Sequence, residues 1–588
     1  MTSELKPLRS EFRDNMRIDW DTPIQMDDGL VLRADIFRPN DNGRYPVILT
    51  YGPYGKGLSF QDGWTPQYAK MLVDFPEIGE GTTQKYQCWE TVDPEKWVKD
   101  GYVCIRVDSR GAGRSPGHLD ICSPRETKDI YDCIEWAAVQ DWSTGKIGMN
   151  GISYYAVNQW QVAALQPPHL AAMCPWEGYT DYYREVARHG GILTSFCQFI
   201  FDLQIKRVQH GVGQRGVRSR LTSEWASGPE TLREEQLAAN RSDPHGEFLA
   251  RELLHDNYFK DRTPDLSKVK TPFLSCGNWG GLGVHLRGNS DGFMRAASTE
   301  KYLEMHGLEH WTHFYTEYGR TLQRRFFDHY LKGIDTGWTK QPKVQLQIRH
   351  PGNRFVQRGE NEWPIARTQW TKYFLDFAEH KLGTDAPPAS RATYKGLGDG
   401  VTLVTKPFEK EVEITGPLAA KLFLSSTTED ADVFLVMRLF APDMKEVSFT
   451  GIADPLTPVA MGWLRASHRK LDPARSKPYM PYHTHDEKQK LNPGEKVELD
   501  VEIWPTSIVI PAGYRLAVSI RGRDYVHAAA QQIPLMHLRN QNIVPNGVAT
   551  FFHDDARDRP PAIFDGDVTL YTTPERPAYL LLPVIPAK

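Results

Sequence analysis

Gly151-Ile152-Ser153-Tyr154-Tyr155-Ala156 holds the first residue of the chain placed for covalent chemistry. Lys146 to Asn150 reads as a short strand and Val157 to Leu165 as a helix, so Ser153 falls on a tight strand-to-helix turn. Such a turn lifts a hydroxyl to the top of a sheet and aims the following amide at a developing oxyanion. Glycine before the serine suits a strained turn with little room for side chains. A histidine able to take the serine's proton lies in Gly307-Leu308-Glu309-His310, just after the apolar run Tyr302 to Met305. This combination predicts hydrolysis by an activated serine.

Other chemistry is poorly supported. Asp108-Ser109-Arg110-Gly111-Ala112-Gly113 has glycines after a strand but lacks the lysine of a P-loop and the spacing of a dinucleotide fingerprint. It reads as a structural turn with internal ion pairs at Asp108 and Arg110. His483-Thr484-His485 has no third ligand at metal spacing and is expected on a surface loop. No H-E-x-x-H motif or Cys/His cluster is present, so neither a metal nor a cofactor is expected.

The elements that must position these residues alternate. Val31 to Phe37 has the period-two pattern of a half-exposed edge strand. Val47 to Tyr51, Val103 to Val107, Leu170 to Cys174, Phe273 to Cys276 and Tyr302 to Met305 read as buried parallel strands. Helical patterns such as Thr127 to Val139 separate several of them, and alternation of this kind means a parallel sheet covered on both faces. From about Gly178 to Asp265 the rhythm breaks into aromatic, helix-compatible segments without an obvious strand. That region predicts a helical cap over the strands' carboxyl ends, where open α/β sheets bind ligands. Its basic cluster, Lys206, Arg207, Arg215, Arg218 and Arg220, reads as a solvated face. Beyond Gly333 short strands and Pro/Gly-rich turns predict an antiparallel sandwich, beginning with Val344 to Ile348.

The 588 residues, 40% hydrophobic and 24% charged, suffice for two or three domains. A net charge of -4 gives no reason to expect nucleic acid or an anionic membrane as partner. The start of the chain lacks the apolar core of a secretory signal, and no apolar run is long enough to span a bilayer. The seven cysteines show no paired spacing, as buried thiols in a reducing compartment would. A cytoplasmic protein acting on a small molecule is expected.

Several segments in order resemble the cocaine esterase-like acyl hydrolases of the CocE/NonD family, relatives of X-Pro dipeptidyl-peptidases and α-amino acid ester hydrolases. They are Gly52-Pro53-Tyr54-Gly55-Lys56, Asp108 to Gly117, Asp141-Trp142, Gly145 to Met149, Gly151 to Tyr154, Arg325 to Gly333 and Gly451 to Arg469. The resemblance implies an α/β-hydrolase domain in two parts (1–177 and 266–340), a helical cap (178–265) and a C-terminal jelly roll (341–588). It implies Ser153 as nucleophile, His310 as general base in preference to His306 and His313, and an oxyanion hole of the Tyr54 hydroxyl and the Tyr154 amide. By analogy alone it extends to a homodimer joined through the jelly roll.

Two departures from the family pattern stand out. Ala156 replaces a glycine three residues beyond the serine. More seriously, the triad acid of a Gly-Trp-Tyr-Asp-like segment is missing, because the matching run is Gly277-Asn278-Trp279-Gly280-Gly281. Loss of that acid costs roughly 10⁴ in turnover unless another carboxylate serves. The sixth strand ends beside the seventh in Pro175-Trp176-Glu177-Gly178, so Glu177 is the expected replacement, ahead of Asp181 and Asn278. Glu309 would have to fold back on its neighbour. Trp176 and Trp279, near the strand tips, are expected to contact an apolar part of the substrate. An esterase or amidase with a relocated acid is the leading reading; a catalytically silent binding protein and an X-Pro exopeptidase are the alternatives.

Overall fold

The computed structural model describes residues 6–538 and 541–587. Its first sheet has eleven strands: β1 (Arg9–Arg13), β2 (Met16–Gln25), β3 (Val31–Pro39), β4 (Tyr45–Gly52), β5 (Val103–Asp108), β6 (Ser143–Ile152), β7 (Leu170–Trp176), β8 (Phe273–Asn278), β9 (Lys301–His306), β10 (Val344–His350) and β11 (Arg354–Glu360). They lie in the order β1-β2-β3-β5-β4-β6-β7-β8-β9-β10-β11. From β5 to β10 all neighbours are parallel, and antiparallel strands flank them on both sides. Parallel strands need covered faces. Helices α1 (Pro124–Ala138), α2 (Tyr154–Ala163), α3 (Leu286–Arg295) and α4 (Glu317–Lys332) pack on β4, β6, β7, β8 and β9 to provide them.

Three expectations need correction here. Val31 to Phe37 is not an edge: β3 sits between β2 and β5, and its alternation reflects an amphipathic inner strand of the antiparallel flank. Val344 to Ile348 does not open the C-terminal sandwich. It is β10, hydrogen-bonded in parallel to β9, so the first sheet continues past residue 340 to Glu360. His483 and His485 are not on a surface loop; they are 5% and 2% exposed, and His485 Nδ1 lies 3.0 Å from His468 Nδ1.

The 178–265 insertion holds short helices, Phe196–Ile200, Glu234–Ala239 and Pro244–Ala250 among them, together with a small hairpin of Arg188–His189 and Ile192–Leu193. Of its basic residues, Lys206 pairs with Asp202, Arg220 with Asp62, and Arg218 lies over Trp225. Twelve of the remaining strands form a mainly antiparallel sheet, and Met536–Leu538 pairs with Gln541–Ile543 apart from it. The larger sheet closes on itself, because Val412–Ser426 pairs with Val497–Ile510 on one side and Tyr579–Ile585 on the other. Closure leaves few exposed edges, Ser390–Lys395 among them, and encloses a separate apolar core that includes Leu422, Leu435, Val501 and Leu580.

One buried ion cluster ties the turn after β4 to the sheet. Lys56 Nζ lies 2.6 Å from Asp21 and 2.9 Å from Asp35, while its backbone N–H donates to Asp108 at 2.6 Å. Arg110 is paired with Asp129 at 2.8 Å rather than with Asp108. Tyr54 stands two residues before Lys56, so this cluster fixes where its phenol points. Lys56→Met removes the central cation and leaves two of the three carboxylates without a balancing charge, Arg114 still reaching Asp21 at 3.0 Å. Breaking a buried pair this way costs about 3–5 kcal/mol. Urea unfolding of the variant is expected to show that loss, and a change below about 1 kcal/mol would mean the cluster carries little of the stability.

Candidate active site

The turn from β6 to α2 holds Ser153 at φ 58°, ψ −116°, a conformation a side-chain-bearing residue adopts only under constraint. The constraint is visible. Ser153 N–H is 3.1 Å from both the Trp176 and Glu177 carbonyls, and Ile152 N–H donates to the Glu90 carbonyl at 3.0 Å. A Cβ on Gly151 would stand 2.5 Å from Tyr155 Cβ, which explains the glycine before the serine. Ala156 is accommodated because Gly178 faces it: a Cβ there would come within 2.6 Å of Ala156 Cβ. The bulk that the family pattern keeps off position 156 is instead removed from position 178.

As the first residue of α2, Tyr154 has an amide that the helix itself does not use. Tyr54 lines the same cavity as Ser153, and its ring packs edge-on against Tyr154 and Tyr155 at 5.9 and 5.7 Å. Burial, with the Glu90 charge adding to it, pushes this phenol well above its ordinary pKa, so it is a proton donor at neutral pH. Two donors thus flank the serine.

His310 lines the same cavity as Ser153. Its Nδ1 lies 2.7 Å from Glu177 Oε2 and its Nε2 lies 2.9 Å from Glu90 Oε1. Glu177 immediately follows β7 with φ 51°, and its other oxygen accepts from His306 Nε2 at 3.0 Å and from Asn278 Nδ2 at 3.3 Å. Behind these, His306 Nδ1 contacts Glu304 at 2.7 Å, and Glu304 accepts from the Tyr318 hydroxyl at 2.9 Å. Five ionisable side chains therefore run in one buried file: Glu304, His306, Glu177, His310 and Glu90.

The file sets its own protonation. Burial works against the Glu177 charge, but His310 and the hydrogen bonds from both histidines outweigh it and hold the carboxyl down at about 2. Burial likewise opposes charge on the histidines. Glu177 and Glu90 nevertheless raise His310 to about 10, and Glu304 and Glu177 raise His306 to about 9. Glu90 is pushed up to about 7, burial prevailing over the pull of His310.

The other candidates lie elsewhere. Asp181 is engaged by Arg184, at 2.8 Å from Nη1 and 2.9 Å from the backbone N–H. Glu309 points away to Lys70 at 2.7 Å. His313 is half-buried with both ring nitrogens enclosed, and His306 faces Glu177 rather than the cavity. Trp176 and Trp279 are not cavity-wall residues, because both rings point into the core. Trp176 packs on His306 and Phe314, while Trp279 donates to the Gln347 carbonyl and packs on Trp363. The wall is formed instead by Trp89, Tyr179, Phe196, Ile200 and, from the C-terminal domain, Ile452 and Phe551, around a volume of about 90 Å³.

Two features escaped the sequence reading. Glu90 and His285, stacked on His310 at 5.3 Å, have no motif to announce them. The C-terminal domain also reaches the site: His310 N–H donates to the Ile452 carbonyl at 3.1 Å, and a Cβ on Gly280 would lie 2.4 Å from Gly451 Cα. The position where the family carries its aspartate is thus filled by backbone from the other domain.

A serine on a strained elbow after a parallel strand, with a carboxylate-paired histidine at the same sheet edge, defines the α/β type of serine hydrolase, and this chain is such an enzyme, cleaving ester or amide bonds. It belongs to the CocE/NonD family: a hydrolase of that family from Staphylococcus aureus, of solved structure, is 31% identical, with 97% of this chain and 94% of that one covered at a TM-score of 0.82. Residues 28–315 match the X-Pro dipeptidyl-peptidase (S15 family) profile, and residues 336–580 match the X-Pro dipeptidyl-peptidase C-terminal non-catalytic domain. A cocaine esterase from a Rhodococcus strain is 23% identical over 96% of this chain and 97% of its own. An α-amino acid ester hydrolase, 17% identical with 99% of both chains covered, shares the fold at a TM-score of 0.66.

The buried file makes stability depend on pH with a definite sign. His306 and His310 are raised above their ordinary 6.5, so their contribution is complete below about 6.5 and is lost as pH rises through 9 and 10. Glu177 is lowered from 4.5, so its contribution is complete above about 4.5 and is lost as pH falls toward 2. The melting temperature of the protein is expected to decline between pH 7 and 10, and His306→Gln to flatten that decline. Parallel slopes for the two proteins in calorimetry would show that the histidine is uncharged throughout.

Proposed function

We propose that Ser153, His310 and Glu177 form a catalytic triad whose acid comes from the end of β7, with Tyr54 and the Tyr154 amide as oxyanion donors. The observation that carries the reading is the 2.7 Å contact of His310 Nδ1 with Glu177 Oε2, made beside the Ser153 turn. Ser153 Oγ attacks the substrate carbonyl while His310 Nε2 takes its proton. The tetrahedral oxyanion accepts from the Tyr54 hydroxyl and the Tyr154 N–H. His310 then returns the proton to the leaving group, and water repeats the sequence on the acyl-enzyme. Glu177 keeps the Nδ1 proton in place and stabilises the imidazolium as it forms. A cavity of about 90 Å³ with a largely aromatic wall favours a compact apolar acyl group, and esters over peptides. The seven free, buried cysteines suit a reducing cytoplasm.

A fluorophosphonate probe is expected to label Ser153 stoichiometrically and to leave Ser153→Ala untouched. Glu177→Gln is expected to lower kcat for a p-nitrophenyl ester by roughly 10³–10⁴ without unfolding the protein. Asp181→Asn, whose parent carboxylate serves Arg184, is expected to change kcat less than about threefold. Near-normal turnover in Glu177→Gln would remove that residue from the triad, and a protein indifferent to the probe would be a binder. Release of a dipeptide from an X-Pro substrate at a rate matching the ester would move the assignment to exopeptidase.

A further inference from the structure

The triad reading leaves one buried acid unaccounted for. Glu90 is 2% exposed, lines the cavity, and places Oε1 2.9 Å from the same His310 nitrogen that must receive the Ser153 proton. Among the described residues His310 is its only ionic partner. The nearby guanidinium of Arg106 is committed to the Tyr86 and Val92 carbonyls at 2.5 and 2.7 Å and to Cys88 Sγ. Glu90 also has φ 62°, and its carbonyl takes the Ile152 N–H, one residue before the serine. A charged side chain in a strained backbone, tied to the elbow and aimed at the base, is held there by design of the surrounding loop rather than by accident of packing.

We propose that Glu90 is a positioning residue that holds His310 as an imidazolium in the resting enzyme and must release Nε2 before Ser153 can be activated; the proposal rests on the triad reading above. With carboxylates on both ring nitrogens, both carry protons, and Nε2 has no lone pair to offer the serine. Activation begins when the His310 Nε2–H bond breaks and the proton passes to Glu90 Oε1, giving a neutral carboxylic acid and a neutral imidazole. The Nδ1 proton stays on His310, donated to Glu177 Oε2. The freed Nε2 lone pair then takes the Ser153 Oγ proton as Oγ bonds to the acyl carbon. Glu90 suits the first step because burial raises its pKa to about 7, close to the point where it can hold a proton at working pH.

Most groups around this pair keep one protonation state across the working range. From the loop before α3, His285 is neutral, because burial pushes it well below the ordinary range. Tyr54 after β4, Tyr155 on α2 and Tyr315 after His310 are phenols raised well above theirs by burial. Cys122 is pushed up to about 12 by burial, and His313 down to about 3. On the far side Glu177 stays ionised and His306 stays protonated to about 9. Two buried carboxyls further out titrate in the same range, Glu126 raised by burial to about 8 and Asp108 to about 7, but Glu126 is held by the Tyr154 hydroxyl and the Cys122 N–H and Asp108 by the Lys56 and Arg114 N–H groups. Between pH 5 and 8.5 the change at the His310 nitrogens is therefore the Glu90–His310 proton.

The test is the pH dependence of kcat/KM for a p-nitrophenyl ester, with the rate of fluorophosphonate labelling of Ser153 as a second readout. Both report the free enzyme's base. In the wild type the acid limb is expected clearly above 6.5. In Glu90→Gln, which keeps the shape and removes the charge, it is expected to move down by at least one pH unit, with labelling at pH 6 rising about tenfold. Glu90→Asp, which keeps the charge, is expected to hold the limb within about half a unit of the wild type. An acid limb near 6.5 in the wild type, or an unmoved limb in Glu90→Gln, overturns the proposal while leaving the triad standing. Loss of labelling at every pH in Glu90→Gln also overturns it, since that residue would then be required rather than restraining. A wild-type protein that never reacts with the probe or the ester overturns the triad reading and this proposal together.

Discussion

The contact between His310 and Glu177 is the constraint around which the rest of the site is arranged. A buried carboxylate is costly unless it is paired and its lone pairs are satisfied, and a buried imidazolium is no cheaper. Here each makes the other tenable, and neither would remain charged alone. Glu177 reaches His310 only because its backbone takes a left-handed turn at the end of β7, with N–H donated to the Cys276 carbonyl at 2.6 Å and carbonyl lent to Ser153. His306 and Asn278 then occupy the second oxygen, so the carboxylate has one orientation. The same few atoms that fix the acid also fix the elbow.

The glycine at position 280 follows from how the two domains meet. The family's aspartate position is Gly280 here, and Gly280 is pressed against Gly451 with Ile452 N–H donating to its carbonyl at 3.3 Å. Ile452 in turn takes the His310 amide and forms part of the cavity wall. A side chain at 280 would force the C-terminal domain away from the histidine loop. Bringing that domain close enough to shape the cavity leaves no room for a side chain at 280, and the carboxylate that meets His310 Nδ1 comes from the adjacent strand tip.

Much of this was legible in the sequence, and the boundary of what was legible has a physical cause. Local signals survive: Gly151-Ile152-Ser153 reads as a turn because the strain is local, and Leu170 to Cys174 reads as a strand because a parallel strand is apolar on both faces. From those alone Glu177 is placed at the right sheet edge. What fails is whatever depends on partners distant in the chain. Val344 to Ile348 carries no mark of which sheet it joins. Trp176 and Trp279 stand at strand tips, but alternation turns their rings into the core. Glu90 follows a tryptophan in a segment with no motif, and becomes visible only when Arg106 on β5 gathers that segment over the serine.

Three residues of this site, Ser153, Glu177 and Glu90, lie at positive φ with side chains that disfavour it, and such conformations cost of order 1–3 kcal/mol each. Positive φ also occurs after other strands of the sheet, at Asn15, Leu308 and Asn353, but Ser153, Glu177 and Glu90 are tied to one another. Each is held by a backbone hydrogen bond to another of the three or its neighbour: Ser153 N–H to the Glu177 carbonyl, Ile152 N–H to the Glu90 carbonyl. The strain is therefore shared in one closed unit, and relieving it at one residue would displace the others. A unit of this kind keeps a hydroxyl, an acid and a restraining carboxylate in register around one imidazole, where independent loops would let the two like charges move apart. Repulsion between Glu177 and Glu90 is contained while a proton lies on His310 or on Glu90, so the backbone strain and that one proton hold the same geometry.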